Sequence, residues 1–310
     1  MIPADWAQFT AEQMATRVEV VLPAGPQAEA RAAGVFAIFA EVAGYANEWR
    51  PGSPLAELNA RAGGEAVPVP PRLYALLERS LALGELTDGA FDLTWAALWG
   101  LWDFREGRVP EPAEIAARLP YIDYRRVELR DGTARLPEAG MAIGLGGVAK
   151  GWALDESQLW LRAQGEANFL LSAGGQVYAA GERAPGRPWT VGIRDPRQGP
   201  EVAFALLSVR DASVSTSGDY ERFFVVDGLR YHHILDPRTG YPARGLRSAT
   251  VLCPEATLAD ALSTAVMVQG AERGLALLGR AGAEGLVVDE AGRVLQTAGL
   301  PVLEARPVTP

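Results

Sequence analysis

Residues 213–242 constrain the fold more than any other stretch: Ser-Val-Ser-Thr-Ser-Gly-Asp-Tyr-Glu-Arg-Phe-Phe-Val-Val-Asp-Gly-Leu-Arg-Tyr-His-His-Ile-Leu-Asp-Pro-Arg-Thr-Gly-Tyr-Pro. Residues 223–226 are β-rich. Asp227-Gly228 accepts positive φ at two successive positions, so the chain folds back on itself as an antiparallel hairpin. The return strand carries both histidines of the protein, His232 and His233. It ends at Asp236-Pro237-Arg238-Thr239-Gly240, where Pro presets φ and Gly admits the left-handed region. The hydroxyl cluster Ser215, Thr216 and Ser217 is poor strand filler unless something binds it. The plain alternative is a surface hairpin with polar tips.

The 310 residues suffice for one large domain or two smaller ones, and 48% hydrophobic with 22% charged residues lets a core form without staples. The net charge is −9 and no Lys/Arg run stands out, which excludes a nucleic-acid groove but not a local phosphate pocket. The single cysteine, Cys253, excludes a disulfide framework and a Cys-based zinc site. The longest apolar stretch, 35–45, is interrupted by Glu41 and is too short for stable membrane insertion. No basic n-region or apolar h-region opens the chain, which reads at face value as cytoplasmic. A periplasmic protein trimmed of its export signal would read the same.

Along the chain, strands are expected at 18–22, 169–172, 189–193, 203–209 and 249–253. Helices are expected at 28–45, 72–87, 152–164 and 256–268, with Ser53 capping a short helix through Asn59. Residues 67–71 are extended, and 110–119 form a surface helix. Further hairpins turn at Asp131-Gly132 and within 289–292. Trp95, Trp99 and Trp102 form one helical stripe, read as core packing, and Asp92 sits among apolar neighbours. Hairpins mixed with strand–helix units give an α+β fold with mixed or antiparallel sheets and packed helices, not a doubly wound sheet.

Three places suit close approach of a ligand. Gly144-Leu-Gly146-Gly147-Val-Ala149-Lys150-Gly151 follows an expected strand and opens a helix; N–H groups at a helix start bind phosphate, and Lys150 adds charge. It fits G-x-G-x-x-A, but the next strand ends Ser172-Ala-Gly-Gly-Gln176 without the acid that a nicotinamide dehydrogenase needs for ribose. Lys150 is followed by Gly151, so it is not a Walker loop either. Asp260 and Thr264 share one helical face and offer two hard oxygens to a cation such as Mg²⁺; the alternative is a polar helix face. His233 is either an acid/base or phosphate contact, or a strand histidine satisfied by backbone.

Taken in order, these segments resemble the ApbE family, the FAD:protein FMN transferases. The resemblance is carried by Met14-Ala-Thr-Arg-Val-Glu-Val-Val-Leu, Trp49-Arg-Pro-Gly-Ser-Pro-Leu-Ala-Glu-Leu-Asn, Asp88-Gly-Ala-Phe-Asp and Gly146-Gly-Val-Ala-Lys-Gly. It continues through Gly174-Gly, Thr216-Ser-Gly-Asp-Tyr, His233-Ile-Leu-Asp-Pro-Arg-Thr-Gly and Ala259-Asp-Ala-Leu-Ser-Thr.

The resemblance implies a two-lobed, T-fold-like architecture in a single domain over 11–300, with 1–10 and 301–310 as terminal extensions. It implies Mg²⁺-dependent cleavage of FAD, transfer of FMN to a Ser or Thr hydroxyl of an acceptor protein, and release of AMP. FAD hydrolysis and non-catalytic FAD binding are the alternatives. Asp260 and Thr264 match the metal pair, completed by a backbone carbonyl near Gly147. Met14, Trp49, Ala90, Phe91, Asp92, Gly144, Lys150, Thr216, His233 and Leu235 match positions along the nucleotide. His233 is expected near the reacting phosphate, with Asp260 and Thr264 as its catalytic partners, and Leu235 against a ring. Asp236 is expected to orient His233 or a substrate hydroxyl. Gly144 and Gln176 depart from what the resemblance implies, usually Asp at the first place and often Asp at the second.

Overall fold

The computed structural model describes residues 5–309. In chain order its strands and helices are β1 (Trp6–Gln13), β2 (Thr16–Pro23), α1 (Ala28–Tyr45), α2 (Pro54–Ala60), β3 (Val67–Pro68), α3 (Pro71–Leu86), α4 (Pro112–Arg118), β4 (Glu128–Arg130), β5 (Thr133–Arg135), α5 (Ala149–Ala163), β6 (Phe169–Ala173) and β7 (Gln176–Ala180). There follow β8 (Trp189–Arg194), β9 (Ala203–Val209), β10 (Ala212–Gly218), β11 (Phe223–Val226), β12 (Leu229–His232), β13 (Leu246–Cys253), α6 (Ala256–Gln269), α7 (Ala271–Arg280), β14 (Glu284–Asp289), β15 (Val294–Gln296) and β16 (Val302–Ala305).

The centre is an eight-stranded sheet in the order β1-β2-β6-β7-β10-β13-β14-β15, antiparallel throughout. Helices α1, α5, α6 and α7 cover one face over the main core, which includes Phe39, Leu154, Phe169, Val251 and Leu262. The small sheet β16-β9-β8 covers the other face around Trp189, Phe204, Val214 and Val288. A third cluster, Leu98, Leu101, Trp102, Ile115 and Leu235, sits beside the β11–β12 ribbon.

The expected α+β class with antiparallel sheets is what the chain forms. Asp131 and Gly132, and Asp227 and Gly228, all hold positive φ in their hairpin turns. Ser53 Oγ caps α2 by accepting from Ala56 N at 3.1 Å.

Several expectations need correction. Strands lie within the segments expected as terminal extensions: β1 pairs along the whole of β2, and β16 pairs with β9. Residues 1–4, part of the expected N-terminal extension and of the stretch read for an export signal, lie outside the described residues. The three tryptophans do not share one helix. Residues Leu93–Leu98 form a 3₁₀ helix that stops at Trp99, and Gly100 takes φ +77°. Residues 136–143, directly before Gly144, form no strand. Instead the Asn59 amide exchanges two 2.8 Å bonds with the backbone of Ile143, as a neighbouring strand would. The hydroxyl-rich 212–218 stretch is an interior strand of the large sheet, because each hydroxyl on it finds a partner. Among the described residues no helix is long and apolar enough to cross a membrane.

Candidate active site

Helices α5 and α6 start side by side. Asp260, one turn into α6, is only 5% exposed, and its Oδ2 accepts from Gly151 N at 3.2 Å. Lys150 Nζ lies 3.8 Å from the same oxygen and donates to Gly146 O at 3.2 Å. Lys150 is the chain's only lysine; every other basic side chain among the 29 Lys+Arg is an arginine.

Thr264 follows Asp260 by one turn. A Cβ built on Gly147 would stand 3.5 Å from Thr264 Oγ1 and 3.5 Å from the Phe91 ring, so loop, helix and aromatic segment meet there. Gln269 at the far end of α6 donates to Thr87 O at 2.9 Å, tying the helix to the loop that carries Ala90 and Phe91. Opposite, a Cβ on Gly174 would be 3.0 Å from Thr16 Oγ1 and 3.5 Å from Lys150 Cδ. The β1–β2 turn, where Met14 holds φ +51°, therefore flanks the lysine.

Strand alternation decides which hydroxyls belong to this cleft. Ser215 and Ser217 point to α6: both reach Ser263 Oγ, at 3.3 and 2.8 Å, and Ser217 Oγ is 3.4 Å from Thr264 Oγ1. The side chain of Thr216 lies on the other face of the sheet, 2.9 Å from Thr250 Oγ1. The sequence points to Thr216; Ser217 is the residue whose hydroxyl faces Thr264. The i, i+2 spacing of Ser213, Ser215 and Ser217 carries that signal.

The histidines separate cleanly. His232 Nε2 donates to Ala243 O at 2.8 Å and its Nδ1 accepts from Ile234 N at 3.3 Å, so its ring is satisfied. His233 Nδ1 is buried with no hydrogen-bond partner among the described residues. Burial, with His232, Arg222 and Lys150 nearby, lowers its pKa from 6.5 to about 4, so the ring is neutral at pH 7.

The other candidates have these partners in the fold. The Asp92 carboxylate accepts from Thr94 N, Thr94 Oγ1 and Tyr124 N at 2.8, 2.6 and 3.0 Å, capping the 3₁₀ helix; burial raises its pKa. Leu235 packs into the third cluster. Asp236 is gripped by Arg238 at 2.9 and 2.7 Å. Trp49 is 67% exposed, its ring 4.4 Å from Trp99, which in turn lies 6.1 Å from Trp95. Trp95 covers Gly144. Gln176 is buried and donates to Ala256 O at 2.7 Å, a bond that a carboxylate could not make.

The donors at the cleft are one carboxylate, hydroxyls and main-chain carbonyls, all hard oxygens of the kind Mg²⁺ takes. Among the described residues no group of three or more His, Cys, Asp or Glu could hold a metal. A cation here would draw its remaining oxygens from its ligand and water, as Mg²⁺ does on phosphates.

The sequence model described as the ApbE family matches residues 14–287. A protein of Treponema pallidum named FAD:protein FMN transferase is 40% identical over 306 residues, covering 91% of this chain and 84% of that one. A Vibrio cholerae protein of the same name is 33% identical, covering 76% and 72%. The crystal structure of the ApbE protein from Thermotoga maritima superposes with a TM-score of 0.87 at 34% identity, covering 94% of this chain and 97% of that one. The chain belongs to the ApbE family.

Proposed function

We propose that this protein is an FAD:protein FMN transferase that uses Mg²⁺, moves FMN to a Ser or Thr hydroxyl of an acceptor protein and releases AMP. One arrangement carries the reading: Asp260 and Thr264 on one turn of α6, set against Gly147, with Lys150 Nζ 3.8 Å from the Asp260 carboxylate. A buried carboxylate beside a glycine loop and a lone ammonium suits a diphosphate bridged to a hard cation.

In this reading Asp260, Thr264 and a main-chain carbonyl of the 146–147 loop hold the ion. When bound, Mg²⁺ neutralises charge on the diphosphate and polarises its P–O bonds. The loop N–H groups and the start of α5 receive phosphate oxygens. Lys150 steadies the charge that gathers on the leaving AMP phosphate. The acceptor oxygen bonds to the flavin-side phosphorus, the bridging P–O bond breaks, and the hydroxyl proton passes to the neutral His233 ring. Trp49 offers an open aromatic face for a planar ring.

The deciding experiment follows AMP release from FAD with and without Mg²⁺, in the presence of an acceptor bearing a Ser/Thr flavinylation motif. Flavin-labelled acceptor and equimolar AMP are expected. FMN and AMP without labelled acceptor would make the protein a hydrolase, and neither product in any condition would sink the reading.

A further inference from the structure

The helix that carries Asp260 is not capped by its own N-cap residue. Glu255 makes no side-chain bond to the α6 backbone, and its carboxylate is taken by Arg79 at 2.8 and 2.6 Å. The cap comes from α5 instead. Asp155 accepts from Ala256 N and Thr257 N, each at 2.8 Å, and from the Thr257 hydroxyl. From the sheet, the Gln176 amide, 2% exposed, donates to Ala256 O at 2.7 Å and to Ser213 Oγ at 3.2 Å. Gly151 lies so close that a Cβ on it would stand 2.4 Å from the same Ala256 oxygen.

Two elements, α5 and β7, therefore grip the first residue of α6, and Asp260 sits one turn beyond it. A helix is stiff along its axis, so the grip on Ala256 sets the height of Asp260 against Gly151 and Lys150. We infer that Asp155 and Gln176 are positioning residues, a two-sided clamp that sets the depth at which α6 presents its carboxylate to the cleft. The amide of Gln176 matters because the clamp needs a donor facing a carbonyl, and an acidic residue there would present a second acceptor. The inference rests on the reading of Asp260 as a cation ligand for one arm of its test only.

That arm measures Mn²⁺ uptake by the intact protein without flavin, from the loss of the free-ion EPR signal. Gln176→Glu, nearly isosteric, and Asp155→Asn, which keeps one acceptor, are each expected to weaken Mn²⁺ binding about tenfold or more. Thermal melts check that both variants are folded. In the AMP-release assay the KM for Mg²⁺ rises by the same factor, while kcat at saturating Mg²⁺ changes far less. The second arm needs no metal. Lys150 is the only lysine, so amine trinitrophenylation of a chain with a blocked N-terminus reports on it alone. A displaced Asp260 no longer holds the half-buried ammonium in place, so the reagent should reach it and react about threefold faster. Wild-type Mn²⁺ affinity and wild-type lysine reactivity in both variants would overturn the clamp. Failure of the wild type to bind Mn²⁺ would instead reject the cation reading, and the lysine rates would still decide the clamp.

Discussion

Trp95 lies against Gly144 so closely that a Cβ there would stand 3.1 Å from three atoms of its indole, while Trp95 Nε1 donates to Gly144 O at 3.3 Å. At Gly144, where the resemblance leads one to expect Asp, the indole fills the space that a side chain would need. Gly144→Asp should cost about 1–3 kcal/mol through overpacking. Adding Trp95→Ala should recover part of it, giving a coupling of at least about 0.5 kcal/mol in a double-mutant cycle. Urea melts of the four proteins would measure this, and wild-type stability in Gly144→Asp alone would refute the crowding.

Asp260→Ala should abolish Mg²⁺-dependent AMP release, a loss of about 10²-fold or more, because the only carboxylate of the cation's donor set is gone. The far-UV spectrum should be unchanged. Retained Mg²⁺-dependent turnover in this variant would remove Asp260 from the site.

The two faces of β10 give a paired test. Ser217→Ala deletes the hydroxyl 3.4 Å from Thr264 and 2.8 Å from Ser263, and should lower AMP release about tenfold with little change in stability. Thr216→Val breaks only the 2.9 Å bond to Thr250 on the far face. It should cost about 0.5–1.5 kcal/mol of stability and leave turnover near wild type. A rate loss in Thr216→Val with none in Ser217→Ala would reverse the assignment.

Two buried groups push stability in opposite directions as pH falls. His233, lowered to about 4 from 6.5, contributes stability above pH 6.5 that is lost as the unfolded chain takes up its proton. Asp155, raised by burial from 3.8 to about 6, does the reverse: folding is favoured as pH drops below 6. Each is worth about 2 kcal/mol between pH 6.5 and 4.5, at about 1.4 kcal/mol per pKa unit. Burial raises Asp92 and Glu48 on the same side as Asp155. Relative to wild type, His233→Gln should therefore gain stability on acidification and Asp155→Asn should lose it. Urea midpoints at pH 7 and 4.5 would show parallel slopes if either assignment is wrong.

Trp49 is exposed and packs at a tilt against Trp99, so it should report on a bound ring. FAD should quench tryptophan emission, and Trp49→Ala should remove much of the quenching and raise the KM for FAD about tenfold, with stability within about 0.5 kcal/mol of wild type. Undiminished quenching in the variant would place the flavin elsewhere.

What the sequence determined by itself is what neighbours along the chain decide. The Asp-Gly turns, the Ser53 cap, the helices at 28–45 and 256–269 and the shared face of Asp260 and Thr264 depend on local φ/ψ and helical spacing, and all are legible in order. Only the tertiary structure could say that a serine-rich segment is an interior strand. Its hydroxyls are satisfied by Val177, Thr250 and Ser263, which are distant in the chain. The same holds for Asp92, whose carboxylate accepts from Tyr124 N, distant in the chain. It holds too for Gln176 and Asp155, whose meaning exists only once β7, α5 and α6 meet at Ala256. A polar side chain's chemistry is written in the sequence; whether that chemistry is free or already engaged is decided by what packs against it.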